Sequence, residues 1–457
     1  MPDIHVVVLA AGKGTRMKSA LPKVLHVAGG RSLIDHALRT AATLSPASIV
    51  VIVGHEAGML KDALREWPGL TFAVQEPQLG TGHALLQAEP ALRGAQGTLV
   101  LLSGDVPLLR ADTLATLVRV HQSRGAAATV LTADVPAPDG YGRIVRDGDR
   151  IGAIVEHRDA SPVQREIREI NSGVYAFAIA PLFGALREIG SANAQGEYYL
   201  PDLVKIYRAR GLGVETLRLE DPREILGVNG RKELADVASI LKSAKNDELM
   251  TAGVTLVDPA TAFIGPDVTI GPDTVVQPGV YLEGSTRIGT GCVIHSGVRL
   301  VNSTVDDGAI INNFCLIIDS HVSRGAIVGP FAHLRPQSHV GEDAHVGNFV
   351  ELKKTSLGRG SKANHLSYLG DATIGEKVNI GAGTITCNYD GRAKHPTVIE
   401  DGAFVGSDTQ LIAPVRVGKR AYVAAGSSIT HDVPDDALAI SRGRQINKAD
   451  WAAKKRK

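Results

Sequence analysis

Three cysteines in 457 residues, at positions 292, 315 and 387, are an odd number without CxxC spacing. That excludes a disulfide framework and gives a zinc site no support. An excess of either charge is also lacking: 49 basic and 48 acidic residues leave a formal +1, so no global field favours nucleic acid. Long apolar runs are missing too. The longest near the start is Val6 to Ala11, far short of a membrane span, and Met1-Pro2-Asp3 lacks the basic head of a secretory signal. These absences predict a cytoplasmic chain with no membrane and no nucleic-acid partner.

Glycine is plentiful, 50 of 457 residues without a Gly-X-Y period, so tight backbone corners are many and collagen is excluded. The 44% hydrophobic content suffices for a sizeable core, and the length implies two or three domains. Over residues 1–226, strand-like runs (Val6-Val7-Val8-Leu9, Ile49 to Val53, Thr98 to Leu102) alternate with helix-like stretches such as Leu33 to Leu44 and Thr113 to His121. This alternation predicts βαβ units around a mostly parallel sheet. Over 227–250, Leu234, Val237, Leu241 and Ala244 recur at spacings of three and four, which predicts a linking helix.

From 251 to 457 the period becomes six. Ile264, Ile270, Val276, Leu282, Ile288, Ile294 and Leu300 are in phase, followed by Val322, Val328, Leu334, Val340, Val346 and Leu352, and by Ile399, Val405, Leu411, Val417, Val423 and Ile429. All nineteen positions are aliphatic. A unit of six supplies one short strand, one inward aliphatic and one corner, so stacked units build a parallel β-helix. Gly often follows the aliphatic directly (Gly265, Gly271, Gly289, Gly347, Gly375, Gly381, Gly406, Gly418), which places corners of positive φ there. Two interruptions are expected: a register slip over 301–321 and a polar loop ejected over 386–397. The pattern resembles the hexapeptide-repeat acyltransferases, and the left hand of the coil is implied by that resemblance.

Chemistry-bearing motifs occur in both halves. Leu9-Ala10-Ala11-Gly12-Lys13-Gly14-Thr15-Arg16-Met17 follows the first strand, where small residues let backbone N–H groups approach a phosphate and Arg16 adds charge. It is not a P-loop, since Gly14 stands where Ser or Thr would meet magnesium, nor a dinucleotide fingerprint, since Met17 replaces the third Gly. Leu21-Pro22-Lys23 adds a second cation, and Ser103-Gly104-Asp105 puts a carboxylate at the carboxyl end of an apolar strand. In the coil, Phe331-Ala332-His333-Leu334-Arg335-Pro336, Glu351-Leu352-Lys353-Lys354 and Asn364-His365-Leu366-Ser367-Tyr368 are unusually polar for a wall. Composition alone does not choose among His333, His339, His345 and His365 as a base.

The first motif is similar to the sugar-nucleotide pyrophosphorylase signature. With the repeats behind it, the chain resembles, over its whole length, the family of bifunctional N-acetylglucosamine-1-phosphate uridyltransferases/glucosamine-1-phosphate acetyltransferases. That implies a Rossmann-like α/β nucleotidyltransferase domain followed by a left-handed parallel β-helix, assembled as a homotrimer. It also implies that Leu9, Ala10, Ala11, Gly12, Gln75, Gly80, Thr81 and Gly104 hold UTP and that Arg16 and Lys23 meet its phosphates. Asp105 and Asn229 would bind Mg2+, and Gly142, Glu156 and Asn171 the sugar. Ser103 is a departure, because a family member carries Tyr before Gly-Asp; it bears on one aromatic contact and not on the metal. In the coil the resemblance makes His365 the general base toward glucosamine-1-phosphate, oriented by Glu351. Arg335 and Lys353 would bind the sugar phosphate, Tyr368 and Asn379 the sugar, and Ala382, Asn388, Tyr389, Ser407, Ala425, Arg442 and Lys448 acetyl-CoA. The basic tail 451–457 is expected to be solvated. Two alternatives stay open: a single-activity pyrophosphorylase with a regulatory coil, and a non-catalytic subunit that keeps both folds for assembly.

Overall fold

A computed structural model of the chain describes residues 3–54 and 56–456, so Met1, Pro2, His55 and the last residue of the basic tail, Lys457, lie outside the described residues. The chain forms two compact units, Met1–Leu241 and Lys242–Lys457. The first is built on a nine-stranded sheet: β1 (Ile4–Leu9), β2 (Ser48–Val53), β3 (Leu70–Val74), β4 (Thr98–Ser103), β5 (Ala128–Asp134), β6 (Arg143–Asp147), β7 (Arg150–Val155), β8 (Glu169–Ala178) and β9 (Val214–Arg218). Its order is β9-β5-β8-β4-β1-β2-β3, with the β6–β7 hairpin hung from β8.

β1 is parallel to β2 and β4, and β8 runs antiparallel between β4 and β5. Val7 of β1 joins the core on one face of the sheet, and Val6 and Val8 the core on the other. A strand buried on both faces has no polar side, so β1 reads as a continuous apolar run. The turn after β1 therefore emerges at the carboxyl edge of the sheet, beside the ends of β2 and β4. The expected linking helix spans Arg231–Thr251.

The second unit winds short strands into three parallel ladders of 11, 10 and 9 strands. All nineteen in-phase aliphatics are buried in one continuous core. The slip expected over 301–321 is no break: Leu282 pairs with Leu300 and Leu300 with Ile317, so that coil is merely one residue shorter and the ladders run on. The ejected loop leaves after Cys387 and rejoins at Thr397, while Thr386 still pairs with Leu411 beyond it.

The glycines after the aliphatics play a different part from the one expected. None of the eight has positive φ. They sit where successive coils touch: a Cβ on Gly381 would lie 2.5 Å from the Gly406 carbonyl carbon, and one on Gly406 2.5 Å from the Ala425 nitrogen. Left-handed corners fall elsewhere and are often taken by Asn, Asp, Lys, Gln or Phe, as at Asn302, Asp319, Gln337, Lys354 and Asp371 along one edge.

Candidate active sites

In the first unit, Gly14 adopts φ 58°, and a Cβ there would collide with Lys23 Cβ at 2.6 Å. The bare glycine thus lets Lys23 fold under the turn. Gly104 donates its N–H to the Leu9 carbonyl at 2.9 Å, tying the end of β4 to the same turn. Gln78, not picked out in the sequence, donates from Nε2 to the Ala11 carbonyl. The result is a cavity of about 480 Å3 lined by Leu9, Ala10, Ala11, Gly12, Lys23, Gln75, Gly80, Thr81, Ser103 and Asp105. Gln75 is buried and is held by its Nε2 bond to the Gly80 carbonyl at 2.9 Å.

A second cavity of about 200 Å3 shares Leu9, Thr81 and Ser103 with the first and adds Gly142, Glu156 and Asn171. A Cβ on Gly142 would lie 3.4 Å from Glu156 Oε1, so the glycine leaves that carboxyl its place. Burial, with Asp159, Asp202 and Glu197 nearby, pushes the Glu156 carboxyl up from its ordinary range. A third cavity, of about 260 Å3, is lined by Arg16, Tyr141 and Asn229. Arg16 and Lys23, expected together at one set of phosphates, therefore line different cavities.

Asp105 and Asn229 converge on one point although far apart in sequence. Lys23 Nζ is ion-paired to Asp105 Oδ2 and donates to Asn229 Oδ1 at 3.3 Å. A carboxylate and an amide oxygen gathered around one ammonium are hard donors that suit a divalent cation of the magnesium type. Among the described residues no group of three His, Cys, Asp or Glu is arranged to hold a metal.

In the second unit, the 17-residue step of one coil sets Asn348 beside His365, and His365 Nδ1 meets Asn348 Oδ1 at 2.8 Å. Facing an amide oxygen, Nδ1 carries the ring proton and Nε2 is left as the acceptor. Glu351, the expected partner, is instead held by Arg335 at 2.9 Å. Above His365 the same edge carries Ala382, Ser407, Ala425 and Arg442 in a column. Asp408 N bonds the Ala382 carbonyl at 2.7 Å, Gly426 N the Ser407 carbonyl at 2.8 Å, and Arg442 Nη1 the Ala425 carbonyl at 2.7 Å.

The adjoining wall holds Lys353 and Tyr368, and Asp371, missed in the sequence, organises them. Asp371 Oδ2 accepts from Lys353 Nζ at 3.2 Å and from Asn388 Nδ2 at 2.5 Å, and Asn388 approaches the Tyr368 hydroxyl at 3.4 Å. Lys394 of the ejected loop, not foreseen in the sequence, is a second cation there, pushed down by the neighbouring Lys353 ammonium. The signal available for Asn348 and Asp371 was the coil length: each stands one coil from its partner. Asn379 pairs with Lys362 and Phe404 on the next wall round, Tyr389 is exposed, and Lys448 lies on the exposed tail beyond the last strand.

The MobA-like NTP transferase domain matches residues 6–194, the bacterial transferase hexapeptide (six repeats) residues 267–302, and the hexapeptide repeat of succinyl-transferase residues 396–431. The chain is 50% identical over 456 residues to the bifunctional protein GlmU of Koribacter versatilis, covering 99% of this chain and 97% of that relative. It is 48% identical over 458 residues to the bifunctional protein GlmU of Pelobacter propionicus, with 100% of both covered. A further relative of that name, from Brevibacillus brevis, is 50% identical over 455 residues, 99% of this chain and 98% of its own. Among the described residues no helix is long and apolar enough to cross a membrane.

Proposed function

The chain belongs to the bifunctional GlmU family, and we propose that its two units make UDP-N-acetylglucosamine by successive transfers. In the coil, acetyl passes from acetyl-CoA to the amine of glucosamine-1-phosphate. In the first unit, uridylyl passes from UTP to N-acetylglucosamine-1-phosphate. The coil site carries the reading, because the first unit alone also fits a single-activity pyrophosphorylase. A histidine with Nε2 free to accept, beside a Lys353–Tyr368–Asp371–Asn388 cluster, has no use in a regulatory prism.

For acetyl transfer, His365 Nε2 takes a proton from the 2-amino group as nitrogen attacks the thioester carbonyl, and CoA leaves as the thiol. Arg335 and Lys353 hold the sugar phosphate, and an anion there also relieves the repulsion between Lys353 and Lys394. The column of Ala382, Ser407, Ala425 and Arg442 receives the extended acetyl-CoA. For uridylyl transfer, the sugar-phosphate oxygen is already an anion and attacks the α-phosphorus directly, expelling pyrophosphate. Lys23 and Arg16 draw the phosphates together and Glu156 and Asn171 seat the sugar, so the catalysis is positioning and charge neutralisation. Asp105 and Asn229 would hold magnesium, which supplies further neutralisation of the phosphates when bound.

A homotrimer supports this reading better than a single copy. Asn379 and Tyr368 stand on different walls of one prism, so a sugar held by both calls for a second chain. The edge carrying His365 continues downward as an exposed apolar ladder, Phe314, Phe331, Phe349 and Leu366, between 48% and 62% exposed. Its rings stack at 5.3 Å. Such a column calls for a partner surface. Both donors are nucleotide metabolites, which suits a cytoplasmic site of action.

The deciding experiment is CoA release from acetyl-CoA with glucosamine-1-phosphate, comparing the intact protein with His365→Ala and Asp105→Ala. His365→Ala should lose at least about a hundredfold in acetyl transfer and keep uridylyl transfer. Asp105→Ala should show the reverse. Absence of CoA release from the folded parent protein would leave the pyrophosphorylase with a regulatory coil.

A further inference from the structure

The wall of the small cavity holding Glu156 and Asn171 includes a residue whose polar atom is buried without a hydrogen-bond partner among the described residues. It is Tyr175 of β8. The residue is 2% exposed, and its ring stacks on Phe177 with centroids 5.3 Å apart and planes at 14°. Among the described residues its hydroxyl has no hydrogen-bond partner. Burial pushes the phenol up, so at any working pH it is a neutral hydroxyl with a proton to give. The Glu156 carboxylate raises its pKa further, and Asn171 reaches toward it with a weak contact that falls short of a full hydrogen bond.

The local backbone explains how the oxygen comes to be there. The ladder between β8 and β5 shifts register between Asn171 and Tyr175, with Gly173 at φ 80°. The shift sets four residues of β8 against two of β5, an even excess that keeps Asn171 and Tyr175 on one face of the strand, and both line the same cavity. Leaving a buried hydroxyl unpaired is destabilising. Phenylalanine would fill the same space without that penalty and already does so two residues along, at Phe177.

We propose that Tyr175 is a specificity-determining residue of the uridylyl site, donating its hydroxyl to an acceptor oxygen of the bound N-acetylated sugar, on the ring or on the amide carbonyl. Ligand entry supplies the partner that the free protein lacks. The inference rests on reading this cavity as the sugar site.

Tyr175→Phe tests it, since the ring, the stack and the packing volume are all kept. The Michaelis constant for N-acetylglucosamine-1-phosphate should rise about threefold to tenfold, while that for UTP and kcat stay within about twofold. The ligand-free variant should melt at a higher temperature than the parent, because an unpaired oxygen is gone. With a set of sugar phosphates each lacking one acceptor, one analogue should bind parent and variant alike and so identify the oxygen that is read. An unchanged constant for the sugar, with the melting point raised, overturns the inference and leaves the site reading intact. A fall in melting temperature with both Michaelis constants raised equally makes the residue structural. Failure of the parent itself to transfer uridylyl to this sugar phosphate overturns the site reading, and the inference with it.

Discussion

Arg143 keeps its guanidinium at 0% exposure, and among the described residues no carboxylate is bonded to it. It donates to the carbonyls of Tyr141 and Arg165 and reaches His157, while burial pulls its own pKa down. These bonds fasten the turn that carries Gly142 to the rim of the cavity holding Glu156 and Asn171. Arg143→Leu should cost about 3 kcal/mol in denaturant unfolding, because the Tyr141 and Arg165 carbonyls lose their donor. In enzyme that remains folded it should raise the sugar's Michaelis constant more than that of UTP. His121 responds to pH in the opposite direction from Glu156. Burial pushes His121 down to about 4, so it is neutral in the fold and protonated in the unfolded chain below about pH 6.5. The unfolded state then binds the extra proton, and stability falls as pH drops from about 6.5 to 4. His121→Gln should flatten that slope in melting curves recorded across the interval. Glu156 is raised, so its contribution falls as pH rises through its range, and Glu156→Gln should remove that part of the profile.

A strand of two residues has little local preference, and the coil is held instead by what each turn meets above and below it. Gly381→Ala would drive a methyl against the backbone of the next coil, where no side chain can move aside. The variant should lose at least about 3 kcal/mol and its acetyl transfer together. Gly443→Ala, with nothing within 4 Å, should melt like the parent. Elements of this kind were legible in the sequence to an uneven degree. The nineteen aliphatics announced the coil because period and burial are the same fact, and the run Val6-Val7-Val8 announced a strand, which the structure covers on both faces. The glycines misled because a missing side chain serves close approach as readily as positive φ, and single-chain spacing does not separate the two. Asp371 and Asn348 act across one coil, so they become partners only once the coil length is known. Asp105 and Asn229 were paired by resemblance alone; Lys23, which joins them, was read only as a cation for phosphate.

At the scale of the whole chain, each unit buries its own core, so the two activities should be separable. A chain ending at Leu241 should transfer uridylyl as a monomer in sedimentation experiments; a trimer of that fragment would refute assembly through the coil. Phe331→Asp, in the middle of the exposed ladder, should dissociate the proposed trimer and cut acetyl transfer while sparing uridylyl transfer. The lower mouth of the coil imposes one more condition. Leu249 of the linking helix and Val254 just after it are 4% exposed and belong to the coil's own core, beneath the first strand Thr255–Leu256. They act as a stopper in an open tube. An acetyltransferase fragment begun after them would present bare aliphatics and three unpaired strand edges to its neighbours, and it should stack end to end into filaments or precipitate, whereas one begun at Lys242 should stay dispersed.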